Sequence, residues 1–212
     1  MVRVKICGIT NRRDLETAVA AGADALGFVV DVPSSPRNLK AEEAETLMKH
    51  TPVFISKVLV TVPENSYSLI SLCERLRPDA LQVHEVYDID ALCKKPLHPK
   101  LIMAVNEKTL NSPHINSEFA NFDAVLIDSV VEGKQGGTGT IHDWSVSRSL
   151  RVRIKPKPLI LAGGLNPDNV KSAIQTVQPY AVDVSTGVEM EPGLKDPEKV
   201  FEFISKAKEV AL

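Results

Sequence analysis

Short β-branched runs recur along the whole chain, and the longer segments between them repeat apolar residues with the period of a helix. We count eight such runs. Most are apolar on both faces, as strands are when helices cover a parallel sheet. The alternation predicts an α/β fold of repeated strand–helix units. The predicted strands are Val2–Cys7, Ala25–Val30, Ser56–Val62, Ala80–Val83, Leu101–Val105, Ala124–Ile127, Leu159–Ala162 and Ala181–Val184.

Amphipathic helices are predicted between these strands. Asparagine or aspartate precedes four of them, where a side-chain oxygen can cap the first free N–H groups, and proline takes the first helical position of two. The clear helices are Arg13–Ala21, Ala41–His50, Ser66–Leu76, Pro167–Thr176 and Pro197–Lys208, with caps at Asn11, Asn65, Asn166 and Asp196. Three further segments give weaker patterns, namely Asp88–Lys94, Glu107–Phe119, which contains Pro113, and Trp144–Leu150.

Eight strand–helix units in 212 residues favour a single (β/α)8 barrel of the TIM-barrel type that spans residues 1–212. A hydrophobic content of 43% is enough for a substantial core. A doubly wound open sheet gives a similar alternation, so the residues that follow the strands have to decide between the two folds.

Charge and composition exclude several classes of partner. A formal charge of −2 carries no signature of nucleic-acid binding, and no apolar stretch approaches the length of about 18 residues that crosses a membrane. Cys7, Cys73 and Cys93 show no zinc or redox spacing, which favours a reducing, cytoplasmic setting and no metal. Without a dinucleotide or Walker motif, we expect chemistry on a small neutral or anionic ligand without a cofactor.

A phosphate site is predicted after the last two strands, because ligands of parallel α/β folds bind at the carboxyl ends of the strands. Strand seven ends in Gly163 and Gly164, and strand eight continues into Ser185, Thr186 and Gly187. Backbone N–H groups without intervening Cβ atoms can approach an anion closely. One glycine pair alone would fit a simple turn into the next helix, but the two loops together favour a phosphate site.

Cys7 ends predicted strand one and Asp128 follows strand six, so the two could meet only if the sheet closes. The end of a following helix could lower the thiol pKa enough for Cys7 to act as a base, and apolar neighbours could keep Asp128 protonated as an acid. Taken singly, a buried structural cysteine and a helix-capping aspartate are the commoner interpretations.

Arg37, in the loop after strand two, could hold a carboxylate in two parallel hydrogen bonds, although its position fits a solvated surface arginine better. Gln82 and His84 at the end of strand four, and the inward-facing Asp183, could contact sugar hydroxyls or neighbouring loops. Cys73 and Cys93 are assigned to packing.

Motifs spread from Lys5 to Asp196 resemble the phosphoribosylanthranilate isomerase family, an enzyme family of tryptophan biosynthesis. The segments that carry the resemblance are KICGIT at 5–10, ALGFVV at 25–30, SPR at 35–37, LQVH at 81–84, LIDS at 126–129, GGTG at 136–139, LAGGLNPDNV at 161–170, and DVSTGVE with PGLKD between 183 and 196.

The resemblance implies a cofactor-free Amadori rearrangement of phosphoribosylanthranilate, with Cys7 as general base, Asp128 as general acid and Arg37 on the anthranilate carboxylate. The ribose phosphate would lie on the backbone around Gly163, Gly164 and residues 185–187, with Asp183 and His84 as further contacts. The chain departs from the family at Glu85, where glycine is usual, and at Thr186, where serine is frequent. A monomer and a homodimer are both compatible with the sequence.

Two alternatives remain at this point. A related sugar-phosphate barrel, such as an epimerase or the aminoaldose isomerase of histidine biosynthesis, would share the fold and the phosphate loops. The histidine-pathway barrel resembles a pattern with two aspartates where this chain has Cys7 and Asp128. A non-catalytic barrel that binds phosphometabolites would not need that acid and base.

Overall fold

The computed structural model describes residues 1–62, 65–84, 99–110, 115–128 and 144–211. Eight parallel strands form a closed barrel, because the first strand pairs with both the second and the last. The barrel strands are β1 (Arg3–Cys7), β2 (Ala25–Val30), β4 (Ser56–Thr61), β5 (Ala80–Val83), β6 (Lys100–Val105), β7 (Ala124–Asp128), β8 (Leu159–Ala162) and β9 (Ala181–Val184). The predicted (β/α)8 architecture is confirmed.

Helices connect the strands within the described residues. They are α1 (Arg12–Ala21), α2 (Ala41–His50), α3 (Ser66–Leu76), α4 (Glu107–Leu110), α5 (Ile115–Phe119), α6 (Trp144–Arg153), α7 (Val170–Val177) and α8 (Pro197–Lys208). None of the described helices is long and apolar enough to cross a membrane.

Side-chain caps start the helices as the sequence predicts, with one correction. The side chains of Asn11, Asn65 and Asp196 accept hydrogen bonds from the first backbone N–H groups of α1, α3 and α8. Pro167 does not begin a helix. Instead, the side chain of Asn166 accepts bonds from the next two free N–H groups and holds a turn, so α7 starts only at Val170.

The predicted helix over residues 107–119 is helical at both described ends, in α4 and α5, and residues 111–114 between them lie outside the described residues. The segment predicted at Asp88–Lys94 lies outside the described residues. Three small elements were not predicted: β3 (Asn38–Leu39), which pairs with β2, and the antiparallel hairpin of β10 (Glu189–Glu191) and β11 (Leu194–Lys195) after a 3₁₀ turn.

Strand alternation divides the apolar core into two layers. The larger layer lies between the strands and the helices, with Phe28 of β2 and Phe203 of α8 fully buried in it. The smaller layer fills the barrel with strand residues such as Val58, Ile102 and Leu126. Residues that continue this inner face reach the carboxyl ends of the strands, where a ligand site is expected.

Candidate active site

Cys7 is the last residue of β1 and belongs to the interior layer, with 8% of its surface exposed. Burial raises the pKa of the Cys7 thiol above its ordinary value, although the positive charges of Lys5 and Lys195 oppose that effect. The sequence suggested that a helix terminus could lower this pKa, whereas burial raises it. The opposing charges come from lysine side chains, and burial outweighs them.

Asp128 ends β7, in register with Ala162 of β8. It continues the interior face on which Leu126 lies, and it lines a cavity of about 470 Å³ together with Asp183. The closed barrel therefore places Cys7 and Asp128 at the same end of its interior, although they come from strands that are not neighbours.

The loops after β8 and β9 form much of the wall of this cavity. Gly163 and Gly164 have φ angles of 81° and 64°, in the left-handed region that favours glycine. A Cβ atom at Gly187 would run into the backbone carbonyl of Leu165, so the two loops are packed directly against each other. The predicted phosphate residues 163–164 and 185–187 thus line one cavity.

Arg37 crosses the barrel mouth close to Cys7. Its aliphatic stem lies over Gly8, whose φ is 76° and where an added Cβ would contact the Arg37 Cδ. The guanidinium donates from Nε to Oε1 of Glu189 at 2.7 Å and from Nη2 to Oε2 at 2.5 Å. The side chain is 17% exposed, so Arg37 is not a solvated surface residue. Arg37 therefore binds a carboxylate through two hydrogen bonds, as predicted for its side chain, but this carboxylate is that of Glu189 in the same chain.

Glu189 has a second cationic partner in Lys195, whose Nζ donates to Oε1 at 2.8 Å and to the backbone oxygen of Ser185 at 3.3 Å. Both side chains are almost fully buried. Burial raises the pKa of Glu189, but hydrogen bonds from Arg37 and Lys195 together bring it below its ordinary value. Burial also lowers the pKa of Lys195, which shares the carboxylate of Glu189 with Arg37. Two cations around one anion keep Glu189 charged.

Asp183 faces the barrel interior, where its Oδ1 lies 3.1 Å from Nζ of Lys5. That ammonium also donates to Oε1 of Gln82 at 2.8 Å. Asp183 and Gln82, which the sequence suggested as polar contacts, are therefore joined through a buried lysine, and Asp183 lines the cavity as well.

His84 follows β5 at the same end of the barrel and is exposed. Glu85, Cys93 and the GGTG segment at 136–139 lie outside the described residues. A second groove, of about 570 Å³, runs outside the barrel mouth between Pro36 and Gly193 and contains none of the predicted site residues.

Residues 4–206 match the family model of N-(5'phosphoribosyl)anthranilate (PRA) isomerase. The N-(5'-phosphoribosyl)anthranilate isomerase of Natronomonas pharaonis is 43% identical over 210 residues, which cover 98% of this chain and 98% of that protein. The chain belongs to the PRA isomerase family.

Solved PRA isomerases share this architecture. The structure from Thermotoga maritima is 37% identical, with a TM-score of 0.86 over 99% of this chain and 100% of that one. A PRA isomerase in complex with reduced 1-(o-carboxyphenylamino)-1-deoxyribulose 5-phosphate is also 37% identical, with a TM-score of 0.79 over 99% of this chain and 100% of that one.

Three buried charged residues at the candidate PRA isomerase site were not singled out from the sequence: Lys5, Glu189 and Lys195. Strand alternation could have found Lys5, which lies two positions before Cys7 and so shares its face of β1. Glu189 and Lys195 occur in the family segments, but their pairing depends on the β10–β11 register, which a three-residue and a two-residue strand do not reveal.

Proposed function

We propose that Cys7 and Asp128 act as general base and general acid in the isomerisation of N-(5-phosphoribosyl)anthranilate to 1-(2-carboxyphenylamino)-1-deoxyribulose 5-phosphate. The chain is an isomerase of tryptophan biosynthesis by family membership. The observation that carries the assignment is the convergence of a thiol and a carboxyl group at one end of the closed barrel, from β1 and β7.

The first step opens the sugar ring. Asp128 gives a proton to the ring oxygen, the bond from that oxygen to C1 breaks, and the nitrogen lone pair forms a C1=N double bond. The product is a protonated Schiff base conjugated with the aromatic ring. Asp128 lines the same cavity as the glycine loops, which supports a role for its carboxyl group beside a sugar whose phosphate binds those loops.

The second step moves the double bond. The Cys7 thiolate takes the proton from C2, the electrons of that C–H bond form C1=C2, and the electrons of C1=N return to nitrogen. The resulting enolamine tautomerises to the C2 ketone. Carbon C2 is oxidised and C1 is reduced within one substrate, so the aldose-to-ketose conversion needs no external oxidant, reductant or cofactor.

The glycine loops are the proposed site of the ribose phosphate. Gly163, Gly164 and residues 185–187 line the cavity with backbone that an anion can approach closely, and Lys199 adds a positive charge to the same wall. The solved relative described above binds a ribulose 5-phosphate derivative, which carries such a group.

Arg37 is the proposed partner of the anthranilate carboxylate. Its Nε and Nη2 bonds to Glu189 fix the plane of the guanidinium, and the N–H groups not used by Glu189 remain to meet the substrate. Because Glu189 is shared with Lys195, the arrangement retains net positive charge where a substrate anion would bind.

The test follows the loss of anthranilate-type fluorescence when freshly made phosphoribosylanthranilate is added to purified protein. We expect rapid turnover by the wild type and a loss of about 10²-fold or more in Cys7→Ser and in Asp128→Asn, the range that one general acid or base contributes. Cys73→Ser makes the same chemical change at a buried thiol in α3 and should remain active.

Fast Cys7→Ser or Asp128→Asn variants would place the base or the acid on another residue. A wild type that binds the product analogue without turnover would contradict the proposed reaction.

A further inference from the structure

Lys5 places an ammonium group inside the barrel, with only 4% of its surface exposed. The interior faces of the described strands carry mainly apolar residues such as Val60, Ile102 and Leu126. A buried cation is strongly unfavourable unless it is paired and hydrogen-bonded. The mechanism above gives this lysine no task, so its position needs an explanation.

The end of the Lys5 side chain has three neighbours. Gln82 accepts a hydrogen bond from Nζ at 2.8 Å, Asp183 provides an opposite charge at 3.1 Å, and Cys7 lies near enough for a charge on its sulfur to raise the pKa of Lys5. The ion pair with Asp183 explains why a charge is tolerated at this depth. The same ammonium also brings a positive charge next to the sulfur of Cys7.

Gly27 of β2 shows how closely the two side chains approach each other. It is in register with Cys7, and a Cβ atom built on it would lie 2.7 Å from the Cys7 Sγ and 3.0 Å from the Lys5 Cε. The Cys7 sulfur and the end of the Lys5 side chain therefore lie next to each other, in space that a side chain at position 27 would otherwise occupy.

We propose that Lys5 is a positioning residue that stabilises the thiolate form of Cys7, the form that can accept a proton. The inference rests on the proposed role of Cys7 as the base. When the thiolate takes the C2 proton, the S–H bond forms and the negative charge leaves the sulfur, while Lys5 keeps its own proton and its bonds to Gln82 and Asp183.

The charges around the thiol have opposite signs and separable effects. Burial raises the pKa of Cys7 most strongly, the charge of Lys5 is the largest effect in the opposite direction, and Lys195 acts in the same direction as Lys5. Asp183 raises the pKa of Cys7. Arg37 also lies near enough for its own pKa to be affected by Cys7. Removing Lys5 should therefore raise the pKa of the thiol, and removing the charge of Asp183 should lower it.

The test is a pH titration of thiolate ultraviolet absorbance in the substrate-free protein. Lys5→Met, Lys5→Arg and Asp183→Asn are each measured against the same variant carrying Cys7→Ser, so that only the Cys7 signal remains. We expect the midpoint to rise in Lys5→Met, to stay near the wild-type value in Lys5→Arg, and to fall in Asp183→Asn.

An unchanged midpoint in Lys5→Met would overturn the proposal. So would shifts of Lys5→Met and Asp183→Asn in the same direction, because a general loosening of the barrel would move both alike. If Lys5→Met does not fold, Lys5→Gln removes the same charge while keeping a polar side chain beside Gln82, and an unchanged midpoint in that variant overturns the proposal.

Kinetics separate this inference from the proposed function. In Lys5→Met, kcat/KM at neutral pH should fall about tenfold or more and recover as the pH rises, while Lys5→Arg should restore the wild-type profile. If the thiolate titrations come out as expected but Cys7→Ser still turns over substrate, the coupling of Lys5 to Cys7 stands and the proposed base is wrong.

Discussion

Arg37 holds Glu189 through two hydrogen bonds, of 2.7 Å from Nε and 2.5 Å from Nη2, across 152 positions of the chain. The guanidinium is therefore oriented before any substrate arrives. Such preorganisation reduces the entropy that binding would otherwise lose in ordering a long side chain. We therefore expect Arg37 to contribute mainly to substrate binding and Glu189 mainly to the stability of the fold.

Replacing Arg37 with alanine should weaken substrate binding more than turnover. Hydrogen bonds to charged groups contribute about 1.5–3 kcal/mol, so KM should rise about tenfold to a hundredfold with a smaller change in kcat. Steady-state kinetics with phosphoribosylanthranilate measure this, with Arg37→Lys as the control that keeps the charge but loses the paired geometry. Unchanged binding in Arg37→Ala would show that the carboxylate lies elsewhere.

Replacing Glu189 with glutamine should destabilise the fold at neutral pH. The change leaves Lys195, whose side chain is 0% exposed, without an anion, and breaking a buried ion pair costs about 3–5 kcal/mol. Chemical denaturation of wild type and Glu189→Gln measures the difference. Glu191→Gln, an exposed change two residues further along β10, should be close to neutral. Equal stability of the two variants would contradict the view that Glu189 compensates Lys195.

The same variant should show a definite pH dependence. The pKa of Glu189 is lowered in the folded protein, so its charge stabilises the fold fully above the ordinary value of 4.5 and progressively less as the pH falls through the lowered value. The gap in unfolding free energy between wild type and Glu189→Gln should therefore narrow in acid. A gap that is constant from neutral pH to below 4.5 would argue against the depressed pKa.

Gly27→Ala should disturb Cys7 and Lys5 together. The new methyl group would lie 2.7 Å from the sulfur, 3.0 Å from the Lys5 Cε and 3.1 Å from the Cys7 Cα, so something must move. Overpacking of this kind costs about 1–3 kcal/mol, and kcat should fall with it. Ala80→Val overfills the interior at the start of β5 and should lose stability without losing kcat. Normal turnover by Gly27→Ala would show that the sulfur position is not critical.

Gly187→Ala should weaken phosphate binding, because the added carbon collides with the backbone of Leu165 and separates the two loops. We expect a higher KM and weaker competitive inhibition by inorganic phosphate. Gly22→Ala, at a left-handed cap where the added carbon would make only ordinary van der Waals contacts with Ile204 and Lys208, should reduce stability by about 1 kcal/mol and leave KM unchanged. Similar KM values for both variants would argue against the loops as the phosphate site.

The sequence predicts the barrel well because strand position depends on local patterns. The bounds of β2, β5, β8 and β9 agree with the prediction, and the remaining barrel strands differ by one residue at an end. The errors in the predicted elements arise where a side-chain hydrogen bond changes the start of a helix or where an element is too short to show a hydrophobic period. Asn166 bonds to backbone N–H groups and delays α7, and the β10–β11 hairpin is too short to show a period.

The site is predictable to the extent that parallel strands deliver their last residues to one end of a barrel. That rule places Cys7, Asp128 and the glycine loops together without any distance information. It cannot show that Arg37 is bound to Glu189 or that Lys5 lies beside a sulfur, because those contacts depend on which side chains meet after closure. The direction of the shift in the Cys7 pKa also depends on closure, since burial raises it more strongly than the charges of Lys5 and Lys195 lower it.

Closure of the barrel also sets an order of events during translation. β1 pairs with β2 on one side and with β9 on the other. A growing polypeptide therefore exposes one unpaired edge of β1 until Ala181–Val184 has emerged from the ribosome, and such an edge is a template for aggregation. The ion pair of Lys5 with Asp183 also requires that last strand. A chain that ends before the last strand would thus leave one edge of β1 unpaired and Lys5 without its carboxylate partner.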